Sequence, residues 1–146
     1  MEVIARFREE YEFLSNFCEV PVTFEGLTYG SSEAAFQAQK SSDPSEREKF
    51  TVLRPNDSKK AGREIQLRPD WEEVKVSVME GILRAKFTQN PDLMEKLSAT
   101  NQALLVEGNN WKDTFWGFDV NLGYGQNMLG QLLMKIRAEH QGKLKK

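Results

Sequence analysis

Hydrophobic and polar positions recur with two different periods along this chain, and the switches between them predict its elements. VIARF at 3–7 reads as a short strand, and the aromatic-rich EEYEFLSNFCEV after it reads as a loop. Alternation returns in VPVTFEGLTYG, where Glu25-Gly26 reads as a hairpin turn between strands near 21–24 and 27–29. Ser31 or Ser32 caps a helix expected to run to about Ser41. Pro44 and Pro55 each suit a first helical position, predicting helices over 44–51 and around PNDSKKAGREI. The clearest helical period lies in WEEVKVSVMEGILRAKF, 71–87, with Asp70 as cap. There Val74, Val78, Ile82 and Ala85 form an apolar stripe between Trp71 and Phe87. Asn90-Pro91 caps a further helix to about 99, with Leu93 and Leu97 inward, and ALLVEG, 103–108, reads as a buried strand. A glycine-rich loop from Gly117 to Gly125 leads into NMLGQLLMKIRAEH, whose Leu129, Leu132, Leu133 and Ile136 read as core. The pattern predicts an α+β fold, predominantly helical with a small β-sheet, in a single domain over 1–146 with its core at about 3–140.

Composition narrows the function classes. A chain of 146 residues, 39% hydrophobic, can bury one sizeable core. A formal charge of −2 gives no overall basic field of the kind that binds duplex DNA, so a nucleic-acid partner needs a local patch. The basic KLKK at 143–146 reads as a frayed, solvated end. No window approaches the roughly 18 apolar residues of a membrane span, and MEVIARFREE lacks the apolar core of a signal peptide. One cysteine, Cys18, excludes an internal disulfide and suits a reducing compartment, so a cytoplasmic or nuclear protein is expected, without a membrane partner. His140 is the only histidine, and it reads as a solvent-facing group in the last turn of a helix. Proton transfer then falls to carboxylates, lysines and tyrosines. No metal and no cofactor are expected.

The stretch SSEAAFQAQK, 31–40, carries the candidate chemistry. Glu33, Gln37 and Lys40 follow one another at spacings of four and three, which stacks them on one helix face. With Ala35, Phe36 and Ala38 packed inward, that stripe reads either as a solvated side or as reactive groups facing a pocket. Two features favour the pocket: the helix carries few other charges, and Glu33 sits in the first turn, where the dipole favours a carboxylate. Gly123, Gly125 and Gly130 match neither common nucleotide-loop motif and read as serving turns and close packing ahead of a phosphate. In DTFWG, 113–117, Trp116 reads either as a base-stacking surface or as core.

Together FLSNF (13–17), SSEAAFQAQK, KKAGR (59–63), the W…VM…L..KF helix, LVEG…DTFWG and GQNMLGQLLMKIR resemble the NADAR family, also called YbiA-like, in order from Phe7 to Arg137. The resemblance implies a metal-independent N-glycosidase with a mainly helical α+β fold. Two activities belong to that family: removal of ADP-ribose from guanine bases, in DNA and related substrates, and cleavage of phosphoribosylamino-pyrimidine intermediates of riboflavin synthesis. It implies Glu33 and Lys40 as the catalytic pair, and Asn16, Asp113, Trp116, Gly117 and Asn127 as substrate-binding positions. Gln37 joins them from its place on the stripe. Lys59 and Arg63 fall on a more variable block. Many relatives carry a histidine where this chain has Ala34, which bears on substrate choice, and often an aromatic where Cys18 stands.

Cleaving a C1′–N bond needs a proton for the base, stabilisation of charge at C1′ and a nucleophile. Glu33 suits the first two. Lys40 attacks C1′ if burial outweighs the pull of Glu33 on its proton; otherwise it holds phosphate or ribose while water attacks. Asn16 and Gln37 would fix ribose hydroxyls, Trp116 would lie against the base, and the N–H groups near Asn127 would cradle a phosphate. An ADP-ribosyl-guanine substrate is placed slightly ahead of the riboflavin intermediate; in DNA it calls for a basic rim, for which Arg54, Lys59, Lys60, Arg63 and Arg68 are the candidates. A module that binds ADP-ribose or NAD without cleaving it, and a structural interaction protein, are the competing classes.

Overall fold

The computed structural model describes residues 1–144. Its elements run β1 (Val3–Ile4), β2 (Val22–Phe24), β3 (Leu27–Tyr29), α1 (Ser32–Ala38), α2 (Pro44–Lys49), α3 (Pro55–Glu64), α4 (Trp71–Gln89), α5 (Pro91–Ser98), β4 (Leu104–Leu105), β5 (Gly108–Asn109), β6 (Phe118–Asp119) and α6 (Met128–Leu144). This is a predominantly helical α+β chain. Instead of one small sheet it has three two-stranded ones: β1–β4 parallel, β2–β3 antiparallel and β5–β6 parallel. Contacts divide the chain into two compact units, one of residues 16–91 and one of Met1–Ser15 with the chain from Asp92 onward. Among the described residues no helix is long and apolar enough to cross a membrane.

The unit of residues 16–91 is built around α1. The β2–β3 hairpin turns through Glu25 and Gly26, both at positive φ, as the Glu25-Gly26 pair predicts. The Ser31 side chain accepts a hydrogen bond from the Ala34 amide at 3.1 Å and so starts α1. Helix α1 ends sooner than its pattern suggests, with Gln39 and Lys40 in the tight turn that follows. The buried face of α4 carries Trp71, Met79, Ile82, Leu83, Lys86 and Phe87, whereas Val74, Val78 and Ala85 are only half-buried. Packing thus rotates the expected stripe and takes in a lysine. The stem of Lys86 is apolar, and its ammonium stands 5.2 Å from the centre of the Phe87 ring.

Two expected caps work differently. Asp70 makes no side-chain cap on α4, because its carboxylate is held by the Arg68 guanidinium at 2.6 and 3.0 Å. Asn90 closes the end of α4 rather than opening α5: its amide donates to the carbonyls of Lys86 at 2.8 Å and Pro21 at 3.1 Å.

In the other unit Phe13 and Leu14 are buried within a 3-10 helix over Glu9–Leu14, where a loop is expected; six residues are too few for a readable period. The expected strand at 103–108 divides between β4 and β5, which belong to different sheets. Leu93, Leu97, Leu129, Leu132, Leu133 and Ile136 are all buried as expected. His140 is half-buried in α6, which continues to Leu144, so its turn is not the last; of the KLKK segment, Lys145 and Lys146 lie outside the described residues.

Two truncations separate capping from packing in this fold. Ser31→Ala should cost about 1 kcal/mol, and Leu133→Ala about 2–5 kcal/mol by leaving a cavity. Urea unfolding checks both, the midpoints falling in that order at unchanged slope.

Candidate functional site

Every residue from Ser31 to Gln39 is buried, so α1 has no wet side. Helices α3 and α4, the hairpin and the 3-10 turn over Phe50–Val52 pack around it. The stripe therefore faces protein: Glu33 is 9% exposed and Gln37 7%. The Gln37 amide nitrogen donates to Glu33 Oε2 at 2.6 Å. Among the described residues its carbonyl oxygen has no hydrogen-bond partner, and it lies over Gly62 of α3, where any Cβ would collide with it.

Lys40 is half-buried just beyond α1, and its carbonyl accepts the Arg68 amide at 2.8 Å. Burial pushes its ammonium below the usual lysine range; Glu33 opposes that shift and Arg63 adds to it. The condition for a nucleophilic lysine is thus met in direction. Asn16 holds the start of α1. Its carbonyl accepts the Glu33 amide at 3.0 Å, its Oδ1 accepts from the Ser32 hydroxyl at 2.8 Å, and its Nδ2 donates to Met79 Sδ at 3.6 Å. Asn16, Glu33, Gln37 and Lys40 thus form one cluster.

The same unit contains a cleft of about 790 Å³ between α2, the outer side of α3 and residues 65–69. Ser41, the residue after Lys40, lines it, but Glu33, Gln37 and Lys40 do not. The cavity and the buried carboxylate are therefore separate features. The basic residues of this unit are largely engaged. Arg54 pairs with Glu19 at 2.9 Å, Arg68 with Asp70, and Lys59 lies 6.0 Å from the centre of the Phe17 ring. Lys60 and Arg63 remain exposed.

Asp113, Trp116, Gly117 and Asn127 meet in the other unit. Asp113 Oδ1 accepts the amides of Phe115 at 3.2 Å and Trp116 at 2.9 Å, shaping the turn that presents the indole. Gly117 packs against the backbone and carboxylate of Glu107, where a Cβ would not fit. Asn127 stands at φ 53 and ties the end of β4 to the link before β5, accepting from the Glu107 amide at 2.9 Å and donating to the Leu105 carbonyl at 2.8 Å. The expected phosphate cradle at the start of α6 is not formed. The amides of Gln126, Asn127, Met128 and Leu129 already donate to the carbonyls of Thr114, Gly117, Phe115 and Trp116.

Sequence reasoning passed over Asp119, Asn109 and Glu107 in this unit. Asp119 accepts amides from Lys112, Asn121 and Leu122 at 2.7–2.8 Å, and these bonds, that of Leu122 foremost, hold its carboxyl below the usual range. The sequence signal for it was the D-x-N-L-G turn chemistry of 119–123. Among the described residues no group of three or more His, Cys, Asp or Glu is placed to hold a metal ion.

The chain is 42% identical over 134 residues to the N-glycosidase YbiA of Escherichia coli, covering 90% of this chain and 82% of that one. The NMR structure of E. coli YbiA superposes with a TM-score of 0.88 at 37% identity, over 99% of this chain and 88% of the other. A riboflavin biosynthesis protein of Vibrio vulnificus is 43% identical over 138 residues, which cover 91% of this chain but only 36% of that longer protein. The profile of the NADAR domain matches residues 5–141, and the chain belongs to the NADAR domain family.

Proposed function

We propose that this protein is an N-glycosidase that hydrolyses a ribose C1′–N bond, with Glu33 and Lys40 as its reacting groups. The single observation that carries the reading is a carboxylate and a lysine placed on one helix and its following turn, the first 9% exposed and the second with its ammonium destabilised by burial. A surface pair at the same spacing would be hydrated and of little chemical use. The names of relatives, N-glycosidase above all, point the same way.

In the covalent form of the mechanism, neutral Lys40 attacks C1′ as the C1′–N bond breaks, and the base leaves with a proton passed through Glu33. The ribose ring opens to a Schiff base on Lys40, and water hydrolyses it to free the sugar and restore the amine. Glu33 also stabilises positive charge at C1′ during bond breaking. Arg63 disfavours the charge on Lys40 and so favours the neutral amine, and its own guanidinium would pair with an anionic phosphate of the substrate.

The substrate we place first is an ADP-ribosyl group on guanine, as a nucleoside or other small compound. With Arg54 and Arg68 paired to carboxylates, the five-residue basic rim that a DNA strand would call for shrinks mainly to Lys60 and Arg63. The second reading is a phosphoribosylamino-pyrimidine of riboflavin synthesis. It is favoured by the name of the Vibrio protein, of which the matched segment is a part.

Incubation with ADP-ribosyl-guanosine and with the phosphoribosylamino-pyrimidine should release ADP-ribose from the first and ribose phosphate from the second only if the second reading holds. Glu33→Gln should lower turnover on the order of 10²–10⁴-fold; unchanged turnover would leave a binding module or an interaction protein. Borohydride added during turnover should trap the sugar on Lys40, as read by peptide mass, and an untouched Lys40 would leave water as the nucleophile.

The pH dependence has a defined sign. A lowered pKa supplies the neutral amine below the usual lysine range of 10.5, so kcat/KM should rise with pH on a limb whose midpoint lies below that value. Glu33 is the group that holds the proton on Lys40, so Glu33→Gln should move the Lys40 titration further down, as followed by NMR of the side-chain nitrogen.

A further inference from the structure

Gln37 stands on the candidate stripe, where a residue of its kind suggests a contact to ribose. Its geometry suits another task. The side chain is more than nine-tenths buried, and its two polar ends meet very different neighbours. The nitrogen donates to Glu33 Oε2 at 2.6 Å, and the oxygen faces the Cα of Gly62 without a donor. Turning the amide over would set its oxygen against the Glu33 carboxylate, two acceptors face to face, and would leave the nitrogen against a C–H surface. The orientation is therefore fixed from both sides.

Gly62 is the second half of the device. It lies inside α3, at a backbone conformation any residue adopts, where glycine is less favourable than alanine. Nothing in the helix itself calls for it. The space its missing Cβ leaves is filled by Gln37: a Cβ would run into Oε1 and crowd Cδ and Cβ of that side chain.

We infer that Gln37 and Gly62 act together as a positioning pair that holds the Glu33 carboxylate in one rotamer and favours its ionised form, and that neither touches the substrate. This rests on the N-glycosidase reading above only for its catalytic consequence. A donor to a carboxylate stabilises the charged state. Lys40 stands beside it at the end of α1, with Arg63 of α3 the other charge acting on that lysine. In its ionised form Glu33 first receives a proton and only then delivers one to the leaving base.

Carbon-13 NMR of the Glu33 carboxyl, titrated in the full chain, tests this without any substrate. In Gln37→Leu, which keeps the bulk and removes the donor, the carboxyl should titrate at higher pH than in the wild type. Gly62→Ala should do the same by displacing the amide, although alanine favours the helix. Gly62→Ala placed on Gln37→Leu should add little, because the group it would displace no longer donates. Thermal melts show which variants are folded, and the reading is taken from those. Where turnover is measurable, Gln37→Leu should reduce kcat about 10-fold or more with KM nearly unchanged. An unmoved Glu33 titration in Gln37→Leu, or a fall confined to KM, overturns the positioning role. Loss of turnover in Glu33→Gln with no effect in Gln37→Leu would leave the hydrolase reading standing and remove only this inference.

Discussion

A carboxylate taken out of water sets the terms for the unit around α1. Leaving Glu33 9% exposed costs free energy unless polar partners replace its hydration, and the Gln37 donor and the nearby Lys40 supply that replacement. Much of the local sequence then follows. Small Ala34, Ala35 and Ala38 let α3 and α4 close over the helix, and Ser31 and Asn16 fix its start. A helix of seven residues is marginal alone, so its order comes from this surrounding contact. The same enclosure that makes the carboxylate costly also lowers the proton affinity of Lys40, and thus the reactivity argued above is a consequence of packing.

The other unit solves a different problem with similar means. Its strands are two residues long and could not stand by their ladders alone. Side chains from turns complete them: Asn127 ties the backbones at Leu105 and Glu107, Asp113 gathers the amides of the Phe115-Trp116 turn, and Asp119 gathers three more. The family resemblance implies Asn127, Asp113 and Gly117 as binding positions, and each has a structural reason to be the residue it is. A motif position can therefore mark the wall of a site as readily as a group that touches the substrate.

What could be read in the sequence follows how local its cause is. The hairpin, the proline-started α2 and α3, the Ser31 cap and the leucines of α6 depend on a few adjacent residues, and all appear where the pattern puts them. The rotation of the α4 face, the burial of Lys86 and the division of 103–108 between two sheets depend on partners far along the chain. So does the central feature of the candidate site. The spacing of Glu33, Gln37 and Lys40 in SSEAAFQAQK leaves a wet side open as one reading, and only enclosure by neighbouring elements removes it. Glu33 and Lys40 were identifiable as candidates from spacing and resemblance, but the desolvation that lowers the proton affinity of Lys40 was not. The phosphate cradle failed for the same reason: free amides at a helix start look available until the carbonyls of 114–117 are seen to claim them.

Two glycines show how a polar interior is assembled without extra polar residues. Gly62 admits the amide oxygen of Gln37 to the surface of α3, and Gly117 admits the carboxylate of Glu107 to the start of β6. In both places the backbone offers a C–H face close enough to exclude water yet unable to donate strongly. At Gly117 the Glu107 carboxylate also accepts from the Asn109 amide at 3.2 Å, whereas the Gln37 oxygen has no such donor among the described residues, which leaves the rest of its side chain to carry the orientation. For Gln37 that remainder is the single strong donor turned toward Glu33. The absence of a Cβ on one helix thus determines the direction of a hydrogen bond on its neighbour.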